Sequence, residues 1–237
     1  MNKTLLACVL IALAGCAKQD AAPSPGAATT PATDNATAEP APPQVDVPAG
    51  SYTLDKYHAT LVLRVDHLGF SKYVARFQTF DAQLQFDPGN YAAASVTVTV
   101  DPKSLAAENP PEGFLNELIG KDWLDTAQFP TLTFRSTTVT PTGARTMKID
   151  GDLTLHGVTK PISLDATFNG GYAGHPMDPH ARIGFSAHGS FKRSDFGISY
   201  GLPPPGTTMG VSDNVDVAIE AEFSGPPFKP TTEASGG

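Results

Sequence analysis

Cysteine is almost missing from this chain: of 237 residues only Cys8 and Cys16 carry a thiol, and both fall in the first sixteen positions. Once that segment is removed or acylated, the remainder can hold neither a disulfide nor a thiolate metal cage. Positive charge is also scarce, with 16 Lys and Arg against 24 Asp and Glu for a net charge of -8. Binding to nucleic acid depends on clustered Lys and Arg that displace condensed counterions, so nucleic acid is not expected as a partner. Catalytic signatures are lacking too: the sequence holds no Gly-x-Ser-x-Gly elbow, Walker loop, dinucleotide fingerprint or His-Glu-x-x-His. A Ser/His/Asp set assembled from scattered residues arises by chance in any chain of this size, and the expectation is a protein that is not an enzyme.

What is present begins with an export signal. Lys3 provides a positive start and residues 5–14 form a run of apolar or small side chains, long enough for a signal-peptide core and too short to span a bilayer. The run ends in Leu13-Ala14-Gly15-Cys16, which resembles the lipobox of bacterial lipoproteins. On that resemblance residues 1–15 are the signal peptide, Cys16 is the acylated first residue of the mature protein, and Ala17, not being Asp, directs it to the outer membrane facing the periplasm. A plain secretory signal that leaves Cys16 free is the alternative. Residues 16–50 are dominated by Ala, Pro and Thr and bury too little to repay their ordering entropy. They read as a disordered tether reaching between roughly 30 Å and about 100 Å. Residues 226–237 read as a disordered tail.

From about residue 51 to residue 225 the apolar signal has period two, which argues for half-buried strands. Leu61, Leu63, Val65 and His67 share one face, and the same alternation runs through Val96/Val98/Val100, Leu132/Phe134, Ile149/Gly151/Leu153/Leu155, Phe185/Ala187/Gly189/Phe191 and Val215/Val217/Ile219/Ala221. Turn residues such as Asp87-Pro88-Gly89-Asn90 and His156-Gly157 separate the segments. About eight strands follow, with Phe77 and Phe80 on opposite parities and so a bulge or bend between them. Phe114, Leu115, Leu118 and Ile119 instead recur at helical spacing and predict a short covering helix. So many strands must hide their edges, and a sandwich or a closed barrel does so economically. Small residues at inward positions (Gly151, Ala166, Ala187, Gly189, Ala221) either leave space for a ligand or make room for large neighbours.

The ordered motifs Tyr52-x-Leu54-Asp55-x-x-His58, Val65-x-His67-Leu68-Gly69-Phe70-Ser71, the run from Gly151 to Pro161, and Arg193-Ser194-Asp195-Phe196-Gly197 resemble the YceI family of periplasmic lipid-binding proteins. The resemblance implies an all-β, lipocalin-like antiparallel β-barrel enclosing a long hydrophobic tunnel for polyisoprenoid or similar lipid chains. It also brings in the homodimer, since family members often pair, although no strand edge is singled out. Trp123-Leu124 stand where the family usually has a Phe pair, and Asn109-Pro110-Pro111-Glu112 replace a more charged segment. Both departures bear on entrance shape and lipid choice.

The expected function is therefore carriage or sequestration of an isoprenoid, quinone or related lipid in the cell envelope, with that lipid as ligand and no cofactor. The alternative is an envelope interaction or structural module whose barrel is packed solid. Expected cavity-lining residues are Leu63, Val65, His67, Phe77, Trp123 (as a lid), Phe134, Leu153, Leu155, Phe185, Phe191 and Phe196. Lys72 and Arg193 are the head-group candidates, with Arg193 alternatively pairing to Asp195 or a neighbouring carboxylate to fix a bend. An inward His67 is read as hydrogen-bonded core more readily than as a metal ligand. His156 sits at a turn, and His175 and His180 lie in a loop with nothing to fix them, so no metal is assigned.

Overall fold

The structure is a computed structural model that describes residues 46–228. The signal peptide, Cys16, most of the tether and the last nine residues lie outside the described residues. Ten strands follow in order: β1 (Gly50–His67), β2 (Ser71–Phe77), β3 (Phe80–Phe86), β4 (Ser95–Val100), β5 (Leu105–Ala107), β6 (Leu132–Pro141), β7 (Thr146–Leu155), β8 (Val158–Tyr172), β9 (His180–Lys192) and β10 (Val211–Pro227). One short helix, α1 (Phe114–Leu118), lies between β5 and β6.

Each strand pairs antiparallel with its neighbours, in the order β10-β9-β8-β7-β6-β4-β3-β1-β2-β5, and β1 pairs again with β10 to close the ring. β3 takes the first part of β1 (Gly50 opposite Phe86) and β2 the last (His67 opposite Ser71). These two strands therefore behave as one bent strand interrupted at Gln78 and Thr79, and the closed barrel has eight members. The interruption is the bend that the parity change between Phe77 and Phe80 requires, and both rings reach the barrel interior. The covering segment is more varied than its helical spacing suggested. It contains β5, an edge strand on β2, before α1 begins.

Local chemistry sets the turns. Leu155 faces Val158, so the β7–β8 hairpin has a two-residue loop in which His156 has φ 52° and Gly157 φ 75°. Two positive φ values mark the turn whose twist matches the flanking strands, and glycine takes the second position without steric penalty. At the β3–β4 turn the Asp87 carboxylate accepts a hydrogen bond from the Gly89 N–H at 2.8 Å.

β1 runs unbroken through a large bulge that shifts its alternation. Leu54 faces Phe223 and Ala59 faces Ala221, leaving residues 55–58 opposite Glu222 alone. Asp55 ties the bulge together: it accepts from the Tyr57 N–H at 3.0 Å and from Arg182 Nη1 at 2.6 Å, and lies 3.1 Å from the His58 ring. The hydrogen bond to His58 leads the interactions that hold the Asp55 carboxyl below its ordinary value, and the same bond raises His58. Arg182 extends the network to Asp178, which accepts from the Tyr172 hydroxyl. This is the structural work of the Asp55-x-x-His58 motif.

The end of the barrel beyond the bulge is plugged by aromatic rings. Phe86, Phe168 and Phe185 lie with centroids 5.2 to 5.4 Å apart. Tyr52 is fully buried and donates its hydroxyl to the Pro48 carbonyl at 2.6 Å. Val47 is buried with this cluster, and Phe228 N–H bonds to Pro179 O at 2.8 Å. The ordered domain thus begins before residue 51 and ends after residue 225, because both terminal segments are pinned to the plugged end.

The small inward residues divide by type. A Cβ added to Gly151 would stand 2.4 Å from the Phe134 ring, and one on Gly189 would stand 2.7 Å from Leu164. Gly151 therefore makes room for Phe134 and Gly189 for Leu164 and the Ser163 carbonyl, whereas Ala166, Ala187 and Ala221 line the cavity, Ala166 and Ala221 as buried members of the core cluster in its wall. Replacing Gly151 by Val should destabilise the domain by about 1–3 kcal/mol through overpacking against Phe134. Urea unfolding followed by near-ultraviolet circular dichroism measures this, and an unchanged midpoint would show that Phe134 can move aside.

Candidate functional site

Inside the ring the strands enclose a cavity of about 920 Å³. The inward parity supplies its wall: Leu63, Val65, Phe77, Phe134, Leu153, Leu155, Phe185 and Phe191 all line it, as the alternation predicts, and Trp123 joins them from the covering segment. Phe196 is a correction. It is almost fully buried but stands outside the cavity wall, packed edge-on behind Phe191 at 5.4 Å, because a 3-10 turn over Arg193–Phe196 carries it out of the strand alternation.

The open end lies among the β1–β2 hairpin, α1, Trp123 and the loop around Tyr200 and Gly201. Tyr73 packs edge-on against Phe114 of α1 at 5.7 Å, and Trp123 packs against Tyr200 at 5.6 Å. Trp123 thus sits at the mouth. His67 also lines the mouth but is exposed, which replaces the expectation of a buried, hydrogen-bonded core histidine: it is the last residue of β1, where the barrel wall ends.

Arg193 is 3% exposed and acts as a clamp. Its guanidinium donates to four backbone carbonyls: Nε to Ser212 at 2.9 Å, Nη1 to Ile198 at 3.1 Å and Tyr200 at 2.7 Å, and Nη2 to Val211 at 2.8 Å. It thereby holds the loop after β9 against the start of β10. Its role as a head-group ligand is largely displaced, and so is the expected ion pair with Asp195, since four of its five N–H groups serve loop carbonyls. Burial lowers its pKa, an effect that Asp213 opposes, and the ring of Trp123 covers it at 5.0 Å. Lys72 is likewise engaged. Its ammonium lies 2.7 Å from Asp216 and 3.7 Å from Asp66, carboxylates on the parity opposite to inward Val65, Tyr73 and Val215.

Sequence reasoning missed Tyr73, Phe114 and Tyr200. Tyr73 was legible, because Tyr73, Ala75 and Phe77 alternate on β2 opposite Val65, Leu63 and Leu61. Tyr200 lies in a loop with no periodic signal. Among the histidines, His156 bonds the Phe196 carbonyl across 3.1 Å and lies against Phe129 at 4.6 Å, as its turn position suggested. His175 and Asp178 form a small bridge through paired backbone bonds of 2.9 and 3.0 Å. The His58 ring comes together with Asp55 and Glu222, their ligating atoms within 4.8 Å of one another. Arg182 already occupies Asp55 there, and a guanidinium at 2.6 Å opposes a cation.

Substituting Arg193 by Met strands four loop carbonyls that it now satisfies. The expected loss is about 3–5 kcal/mol of stability, read as a lowered urea midpoint with amide exchange rising first over residues 198–212. Retained protection in that loop would contradict the clamp.

Residues 52–223 match the YceI-like domain model. Protein YceI of Escherichia coli O157:H7 is 38% identical over 178 residues, covering 73% of this chain and 86% of that protein. The crystal structure of the Campylobacter jejuni YceI protein is 30% identical, covers 68% of this chain and 90% of that one, and superposes with a TM-score of 0.58. A polyisoprenoid binding domain from Saccharophagus degradans shares the fold at 14% identity and a TM-score of 0.53, covering 74% of this chain and 98% of that domain. The ordered motifs and the eight-membered barrel agree with these matches, and the chain belongs to the YceI-like family.

Proposed function

We propose that the protein is a non-catalytic binder of a long-chain isoprenoid, quinone or related lipid, which it carries or sequesters in the bacterial cell envelope. One observation carries this reading: a closed β-barrel whose interior is an apolar cavity of about 920 Å³, plugged at one end and open at the other. That volume lies near the top of the roughly 300–1,000 Å³ range of small-molecule sites. A hollow interior also favours this reading over that of a solid-cored surface module. The wall is mostly hydrocarbon and aromatic, so the chain of the ligand is held by burial. Each buried methylene contributes about 0.8 kcal/mol, and two are worth about tenfold in affinity. Affinity should rise with chain length until the barrel is full and then level off.

The similarity to a polyisoprenoid binding domain supports the ligand class, and the lipobox-like Leu13-Ala14-Gly15-Cys16 supports a membrane-anchored place of action. In this reading Cys16 carries the anchor, the Pro- and Ala-rich tether lets the barrel stand off the outer membrane, and the barrel works in the periplasm. Several acyl chains on one residue give the stable attachment that a single chain does not.

The test is native mass spectrometry of residues 17–237, exported in a bacterial host behind a plain secretory signal and purified without detergent. The expected result is an added mass that extracts into organic solvent as a prenyl lipid. A bare mass that also refuses added quinones and polyprenols of every chain length would overturn the reading.

A further inference from the structure

Two polar atoms at the cavity mouth lack a protein partner. The Tyr73 hydroxyl and the Trp123 indole nitrogen are both shielded from solvent and both unpaired, although their side chains line the cavity. Burial of a polar group without a hydrogen bond is unfavourable by roughly 1–3 kcal/mol, so two such groups among the residues that line the mouth are an unmet demand. Both are donors. The indole N–H can only donate, and burial raises the Tyr73 pKa, which keeps the phenol protonated. Each is also held in place by its neighbours, Tyr73 against Phe114 and Trp123 between Tyr200 and Arg193.

The charges around them argue about the sign of what they meet. Lys72 and Arg193, which are among the lining residues, are engaged, Lys72 by Asp216 and Asp66 and Arg193 by four carbonyls. Glu108 and Glu117 line the same opening, and Asp213 lies close enough to Arg193 to oppose the lowering of its pKa. An anionic head would therefore lose its water while facing these carboxylates, and Lys72 and Arg193 meet it already engaged.

Resting on the lipid-binding reading above, we infer that Tyr73 and Trp123 are the specificity-determining residues of the mouth, donating hydrogen bonds to the carbonyl or hydroxyl oxygens of a neutral lipid head and selecting it over phosphate. A quinone and a polyprenol share this acceptor chemistry. The barrel wall below reads only the chain.

The experiment measures equilibrium binding of four probes of matched prenyl length to delipidated residues 17–237: a quinone, an alcohol, a monophosphate and a headless hydrocarbon. Wild type should bind the quinone or the alcohol more tightly than the hydrocarbon and the phosphate, and the tighter of the two identifies the head. Tyr73→Phe and Trp123→Phe should each weaken that probe about three- to tenfold and leave the hydrocarbon within about twofold, which separates a lost hydrogen bond from lost packing. Equal losses for headed and headless probes in both variants would overturn the assignment. So would a phosphate bound as tightly as the neutral heads. Wild type refusing all four probes would instead overturn the lipid-binding reading itself, and this assignment with it.

Discussion

The pairing of β1 with β10 is the constraint on which the remaining structure depends. Closing the ring satisfies the backbone groups that an open sheet would leave at its edges, and it fixes the inward set of every strand at once. The circumference is then set by hydrogen bonding, independently of whether the enclosed side chains are large enough to meet. Along part of the wall they are, as where Phe134 fills the place above Gly151. Elsewhere the wall is lined by smaller side chains such as Val96, Val98 and Ala187, and the barrel remains hollow. The cavity is thus a consequence of closure with too little volume inside, and it persists because the sheet hydrogen bonds hold the wall apart.

Closure also explains where the chain departs from regularity. A ring needs a plugged end and an open one if it is to hold a chain lengthwise. The plugged end gathers Tyr52, Phe86, Phe168 and Phe185, and the Asp55–His58 bulge beside it is locked by Arg182. At the open end the irregular segments, α1 and the Arg193-clamped loop, supply the aromatic rim. Regular strands make the wall, and the interruptions decide what each end does.

Much of this was legible in the sequence, and the failures have physical causes. Along β9 the alternation Phe185, Ala187, Gly189, Phe191 could be read directly, since one face is inside and the other in water. β1 could not be read as one strand, because the four residues opposite Glu222 shift its parity between Leu54 and Leu61. The inward glycines and alanines looked alike until cross-strand register showed which had a ring beside it. Phe196 continued an apolar theme but belongs to a turn. For Arg193 the sequence offered a head group or a carboxylate as partner, and backbone carbonyls, which leave no trace in sequence, are what it binds. The lining aromatic and aliphatic residues were found because period two identifies a face; Tyr200 was missed because a loop has no period.

The central claim is that an empty, closed tube, and not the outer surface, is what this protein uses. Filling the tube tests it most directly. Val98→Leu with Ala187→Leu enlarges half-buried side chains that line the cavity, and the account predicts a domain with an unchanged near-ultraviolet circular dichroism spectrum and undiminished thermal stability that carries no lipid and takes up none. A filled barrel that folds equally well and still carries lipid in equimolar amount would contradict it.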